Sequence, residues 1–273
     1  MLSAAAGSGQ RLAEELGVTA SFHNPFTSRP TWSEFERAAG LSMCLRLNTL
    51  RMLRTRLKGK GDMPDSFEFL FPKARASQET RALFADFHPD HVQLRHAIRV
   101  EPFGSTKAMH LSSSKSVDPE GKVDTDEGSF TWGGTILINA ERAPTWDLMH
   151  STPNLFIAIQ CKKLPLLSMI DSRFEFLKAM GSARTLAAGL DPATVCDEAN
   201  GGIGAGEYKK SKSRKKNVLE RADSLDSFYG SRQGVFVVVC EGDVEAGNLP
   251  RGMIVVKGDA LRGTMFEPLV SNS

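Results

Sequence analysis

The stretch from Thr135 to Lys163, TILINAERAPTWDLMHSTPNLFIAIQCKK, constrains the fold of this chain more than any other. Two strongly apolar runs are joined by a turn-like HSTPN. The acid Asp147 closes the first run, and Gln160, Cys161 and Lys162 close the second. With a strand's period of two, Phe156, Ala158, Gln160 and Lys162 share one face and Leu155, Ile157, Ile159 and Cys161 the other. A strand apolar on both faces belongs inside a sheet covered on both sides, where a lysine needs an anionic partner or a route to solvent. The two runs are expected to pair antiparallel across His150 to Asn154. A bend at Pro144, which has no N–H for the ladder, would let Asp147 converge with the Gln160 and Lys162 end.

Around this stretch the chain reads as helices, extended pieces, the central pair, a helix and a last buried strand. From Thr31 a helix carries Leu47, Leu50, Leu53 and Leu57 on one stripe and accumulates Arg46, Arg51, Arg54, Arg56, Lys58 and Lys60 on a basic face. Such a face reads either as solvated or as a phosphate-backbone contact. Gly59 to Pro64 ends that helix, and a short one follows from Ser77, a residue able to cap it, to Phe87, with Glu79 in the first turn. Extended pieces are expected at His96 to Pro102 and Thr106 to Ser112, and a solvated loop from Ser112 to Gly128. Past the pair, Leu164 to Leu190 has a helical pattern, with Leu166, Leu167, Ile170, Phe174, Leu177 and Met180 on one apolar stripe. Val235 to Cys240 is continuous, apolar and largely β-branched, which predicts a central strand, with a shorter one at Met253 to Val256. This order predicts an α/β (α+β) fold, a mixed central sheet flanked by helices. The division expected is an N-terminal helical region over 1–75 and an α/β domain over 76–273.

The formal net charge of +2 leaves any nucleic-acid surface to local clustering. One cluster stands out: a glycine-rich segment passes into Lys209, Lys210, Lys212, Arg214, Lys215 and Lys216. It reads as a flexible basic insertion over about 190–216, and equally as a nuclear localisation signal or a nucleic-acid contact. The four cysteines, Cys44, Cys161, Cys196 and Cys240, have no zinc-ligand spacing and read as reduced thiols of an intracellular protein. No apolar run is long enough to span a bilayer and the start lacks a signal-peptide pattern, so no membrane partner is expected. GSGQ at Gly7 to Gln10 follows no strand and lacks the GK[ST] ending of a phosphate loop.

An acid closing one strand, then an acid or amide, a spacer and a lysine on the next, resembles the PD-(D/E)xK nuclease superfamily; the matching residues are Asp147 in APTWD and Gln160-Cys161-Lys162 in IAIQCKK. The resemblance implies a restriction-endonuclease-like core of a helix, three strands, a helix and a strand over about residues 77–257. It implies Mg²⁺-dependent hydrolysis of DNA phosphodiesters, with Asp147 the principal metal ligand and Gln160 a neutral one. Lys162 would orient or help deprotonate the attacking water, and Glu79 would be the outer acid. The phrase NAERAPTWDLM...NLFIAIQCKK also resembles the nuclease-like domains of Crinkler effectors and retrotransposon hot spot proteins, which implies a nuclear, DNA-directed role. Gln160 in place of an acid keeps a second reading open: a catalytically inactive nuclease fold serving as an effector-like module that binds nucleic acid or protein.

Overall fold

The structure, a computed structural model, describes residues 32–56, 65–97, 100–102, 109–111, 122–125, 128–131, 135–139, 146–152, 154–199, 201, 208–258 and 260. Side chains are described for fewer of these, and for none from 93 to 145 or 208 to 214. The Gly7 to Gln10 segment, the expected stop at Gly59 to Pro64, Leu57 and Pro144 lie outside the described residues.

The helices are α1 (Trp32–Arg56), α2 (Ser66–Leu70), α3 (Gln78–Ala82), α4 (Met169–Met180), α5 (Ser182–Ala187), α6 (Pro192–Ala199) and α7 (Tyr208–Tyr229). The strands are β1 (Arg75–Ala76), β2 (Gln93–Ala97), β3 (Val100–Pro102), β4 (Met109–Leu111), β5 (Lys122–Thr125), β6 (Gly128–Thr131), β7 (Thr135–Asn139), β8 (Leu148–Ser151), β9 (Leu155–Lys162), β10 (Leu166–Leu167), β11 (Gln233–Cys240), β12 (Asp243–Val244) and β13 (Met253–Lys257). Seven strands form one mixed sheet in the order β1-β13-β11-β9-β8-β7-β2. β7, β8 and β9 are an antiparallel meander, whereas β9, β11 and β13 run parallel.

The two faces of β9 part as their alternation predicts. Leu155, Ile157, Ile159 and Cys161 join Val235, Val237 and Val239 beneath α1 and α2, where Phe35, Leu47, Leu50, Phe67 and Leu70 close the layer. Phe156 and Ala158 join Phe236 and Val238 on the other face, against Phe176, Met180, Leu225 and Tyr229 of α4 and α7. The sheet is thus sandwiched between helical layers, a mixed α/β architecture. Because α1 shares one cluster with β9, β11 and β13, the expected boundary at residue 75 does not separate two cores.

Other expectations change. The central stretch is three strands rather than two, and Asp147 leads into β8 instead of closing the strand before it. Part of the expected 112–128 loop is a hairpin, β5 paired with β6 from Lys122↔Thr131 to Thr125↔Gly128, with Val123 opposite Phe130. The expected Leu164 to Leu190 helix is broken into β10, α4 and α5, and Leu166 and Ile170 of its stripe are exposed. Gly181 makes the break: its φ of +88° suits glycine, and a Cβ there would lie 2.4 Å from the Asp226 carboxylate. The expected insertion at 190–216 contains α6, whose Val195 and Cys196 are buried against α4 and α7, and the basic run belongs to α7. Lys and Arg are good helix formers, so a charge run is compatible with helix once part of the same helix is anchored by packing. The basic face of α1 is partly internal as well: Arg46 is buried, donates to the Phe69 carbonyl at 2.7 Å, and burial lowers its pKa to about 10.

Candidate active site at the carboxyl end of β9

Leu148 of β8 pairs with Ile159 of β9, so one more step along the antiparallel ladder sets Asp147 across from Gln160. Two hydrogen bonds hold that step. The Asp147 N–H donates to the Ile159 carbonyl at 2.9 Å, and Asp147 Oδ2 accepts from the Cys161 N–H at 2.7 Å. The carboxylate is therefore fixed to the strand that bears Gln160 and Lys162, although it starts on its neighbour. Gln160 is buried, and among the described residues its Oε1 has no hydrogen-bond partner. An amide oxygen left so costs on the order of 1–3 kcal/mol, which a ligand at this point would recover.

Lys162 follows on the face of Gln160 and is mostly buried. Its anionic partner, demanded by the strand's apolar setting, is Glu175 of α4, with Nζ 3.0 Å from Oε1. The other oxygen of Glu175 lies 2.8 Å from Nζ of Lys178. Burial raises the Asp147 carboxyl to about pKa 6; the Cys161 N–H and the charges of Lys162 and Lys178 oppose that rise, and the charge of Glu175 adds to it. Asp147, Lys162, Glu175 and Lys178 thus share one electrostatic environment.

A further acid enters from the other face. Burial and then the negative charge of Asp147 push Glu36, on α1, up to about pKa 7. The neighbouring Phe35 ring is 3.0 Å from where a Cβ on Gly258 would sit, just past β13, so the start of α1 lies at the carboxyl ends of the parallel strands. Glu36 therefore lies in the field of Asp147.

Glu79 does not. It is exposed in the first turn of α3, where its own backbone N–H and the Ser77 hydroxyl lower its pKa. The next residue, Thr80, accepts from the Gly252 N–H at 2.9 Å at the amino end of β13, whereas Lys162 is level with Cys240 and Lys257 at the carboxyl end. Both acids have the same local signal, a carboxylate early in a helix, and the packing of α1 across β2, β7 and β9 distinguishes them. A cavity of about 320 Å³, lined by Arg184, Gly234, Arg251 and Gly252 among others, also lies at the amino end, away from the acids.

Of the basic run, Lys215 pairs with Asp197 at 2.7 Å and Lys216 with Glu220 at 3.6 Å. Lys209, Lys210, Lys212 and Arg214 lie in the first turns of α7, with side chains outside the described residues. All four cysteines are buried and none is in a disulfide, and burial raises the thiols of Cys161 and Cys240, so neither is an activated nucleophile.

Among the described residues no three His, Cys, Asp or Glu side chains converge as a metal cage. The oxygens on offer are the Asp147 carboxylate and the orphaned Gln160 amide, with Glu36 behind them. A sparse oxygen set of this kind fits Mg²⁺, which retains several waters and takes one or two protein ligands with phosphate oxygens.

The fold and site define a mixed α/β protein with an acid, an amide and a lysine gathered at the carboxyl end of a parallel strand pair. Neither known protein families nor curated proteins nor solved structures give a match to the chain. Among the described residues no helix is long and apolar enough to cross a membrane.

Proposed function

We propose that this chain is a restriction-endonuclease-like protein that hydrolyses phosphodiester bonds of DNA with the help of Mg²⁺. The observation that carries this reading is the joining of Asp147 to β9 through the Cys161 N–H, which brings its carboxylate beside Gln160 and into the field of Lys162. The order of elements supports it too: a helix against the sheet, the β7-β8-β9 meander, α4, and β11 parallel to β9.

Asp147 and Gln160 would hold the cation, and Glu36 would act from behind them, through water. The bound ion would polarise the phosphoryl oxygen and lower the pKa of an attacking water. The residues do the rest. The Asp147 carboxylate, fixed by a backbone N–H, needs no reorganisation to meet a ligand. Lys162 brings a positive charge to where negative charge develops on the phosphate, from a strand held on both sides and so at a fixed height above the sheet. Incubating plasmid and Mg²⁺ with wild type, Asp147→Ala and Lys162→Ala tests the reading; equal cleavage by all three sinks it.

One observation favours a second reading. The second acid of the motif is Gln160, and the Lys162 ammonium is engaged by Glu175. A protein of this fold without catalysis would bind nucleic acid through charge alone. It would show salt-dependent, chelator-insensitive binding and no cleavage.

A further inference from the structure

Glu175 ties together ammonium groups from two elements: Lys162 at 3.0 Å through one oxygen and Lys178 at 2.8 Å through the other. Their side chains are 18, 12 and 22 % exposed for Lys162, Glu175 and Lys178 respectively, so the contact is largely withdrawn from water. Two cations meet on this one anion, with the Asp147 carboxylate in the same electrostatic environment. The Glu175 Oε2 contact with Lys178 is an ion pair without hydrogen-bond alignment, so the carboxylate is held mainly by charge. Lys178 itself is steadied by the Phe174 ring, whose centroid is 5.1 Å from Nζ.

A carboxylate that bridges two ammoniums spans them with two oxygens about as far apart as two non-bridging oxygens of a phosphate. A phosphate group can therefore take the same place between the same cations, with stronger charge, if Glu175 turns aside. We propose that Lys162 and Lys178 form a phosphate subsite, closed in the free protein by the Glu175 carboxylate. The ligand class is a phosphoryl group, free or within a nucleic acid; that it belongs to a nucleic acid rests on the nuclease-like reading, and the subsite does not. Lys178 has a second part: it can retain one oxygen of Glu175 while Lys162 is handed to the phosphate, so the carboxylate need not be stranded in a dry setting.

The test is calorimetric titration with inorganic phosphate in chelator, without divalent cation. Glu175→Gln removes the competing charge and is expected to tighten phosphate binding by roughly five- to tenfold. Glu175→Asp, which withdraws the carboxylate and keeps the charge, is expected to give a smaller gain. Glu175→Gln combined with Lys178→Met loses the gain. Two variants guard against loss of folding, and melting curves of each accompany the titration. Phosphate binding no tighter than wild type in both folded single variants overturns the proposal, as does a gain that survives Lys178→Met. A short phosphorothioate oligonucleotide as a second titrant tells the sources apart: a parallel gain assigns the subsite to nucleic acid, and a gain with phosphate alone to a free phosphoryl group. A gain without plasmid cleavage upholds the subsite and sinks the nuclease, and cleavage without a gain does the reverse.

Discussion

The Asp147 carboxylate accepts a hydrogen bond from the backbone of Cys161, 2.7 Å away on the neighbouring strand. That bond links the acid leading into β8 to the strand carrying Gln160 and Lys162 by a backbone N–H, which of all substitutions at position 161 only proline would remove.

Removing the charge of Asp147 should expose a pH signature. Its folded pKa, about 6, and that of Glu36, about 7, lie above the ordinary carboxylate values. From about pH 4 to 7 the folded protein therefore binds more protons than the unfolded chain. Stability is full below that window and falls as pH rises through it, by up to about 1.4 kcal/mol per pH unit for each group. The groups facing Asp147 are Glu36, Lys162, Glu175 and Lys178, of which the cations moderate the fall. Asp147→Asn should flatten the slope and gain on the order of 1–2 kcal/mol at pH 8 after allowance for partial exposure. Urea unfolding at pH 5 and pH 8 checks it; an unchanged slope would falsify the assignment.

Glu36 and Glu79 should differ sharply as glutamines. Glu36→Gln is expected to weaken Mg²⁺ binding by about tenfold, since a nearby carboxylate adds field to the site. Glu79→Gln, at the far end of the sheet, should leave it unchanged. Calorimetry with Mg²⁺ decides, and equal losses in both variants would refute the placement.

Restoring the second acid should make folding metal-dependent. Gln160→Glu adds a buried carboxylate opposite Asp147, which should destabilise the metal-free protein at pH 8 by roughly 1–3 kcal/mol. Mg²⁺ should recover that loss and raise the melting temperature in proportion to the logarithm of its concentration. A melting temperature indifferent to Mg²⁺ counts against a cation site here.

Gly181→Ala should cost about 2–3 kcal/mol in urea unfolding. It forces a side chain into φ +88° and against Asp226, which otherwise accepts from the Ala183 N–H and pairs with Arg184. A loss under about 0.5 kcal/mol would show that the helix joint relaxes freely.

The alternation in LFIAIQCK set both faces of β9 correctly because strand period and burial agree there residue by residue. The apolar, β-branched run at Val235 identified β11 for the same reason. Glu36 was illegible: an acid near a helix start is ordinary, and only the crossing of α1 over the sheet brings it to Asp147. Glu175 was hidden in an apolar stripe, as one charge between Phe174 and Phe176, and its partner Lys162 lies on another element. In sequence the meander reads as a pair, because TWDLM carries an apolar pattern whose strand begins only after Asp147.

The parallel match of Lys162 with Cys240 joins strands between which four helices, α4 to α7, intervene. Pairings of that kind close long loops before they gain any contact, so they form late and slowly. During synthesis, β8, β9 and Glu175 leave the ribosome well before β11 and β13 exist to shelter them. The site's charged end is then finished only when the last strand docks. Pulse-labelled hydrogen exchange during refolding should find the amides of β11 and β13 protected after those of α1.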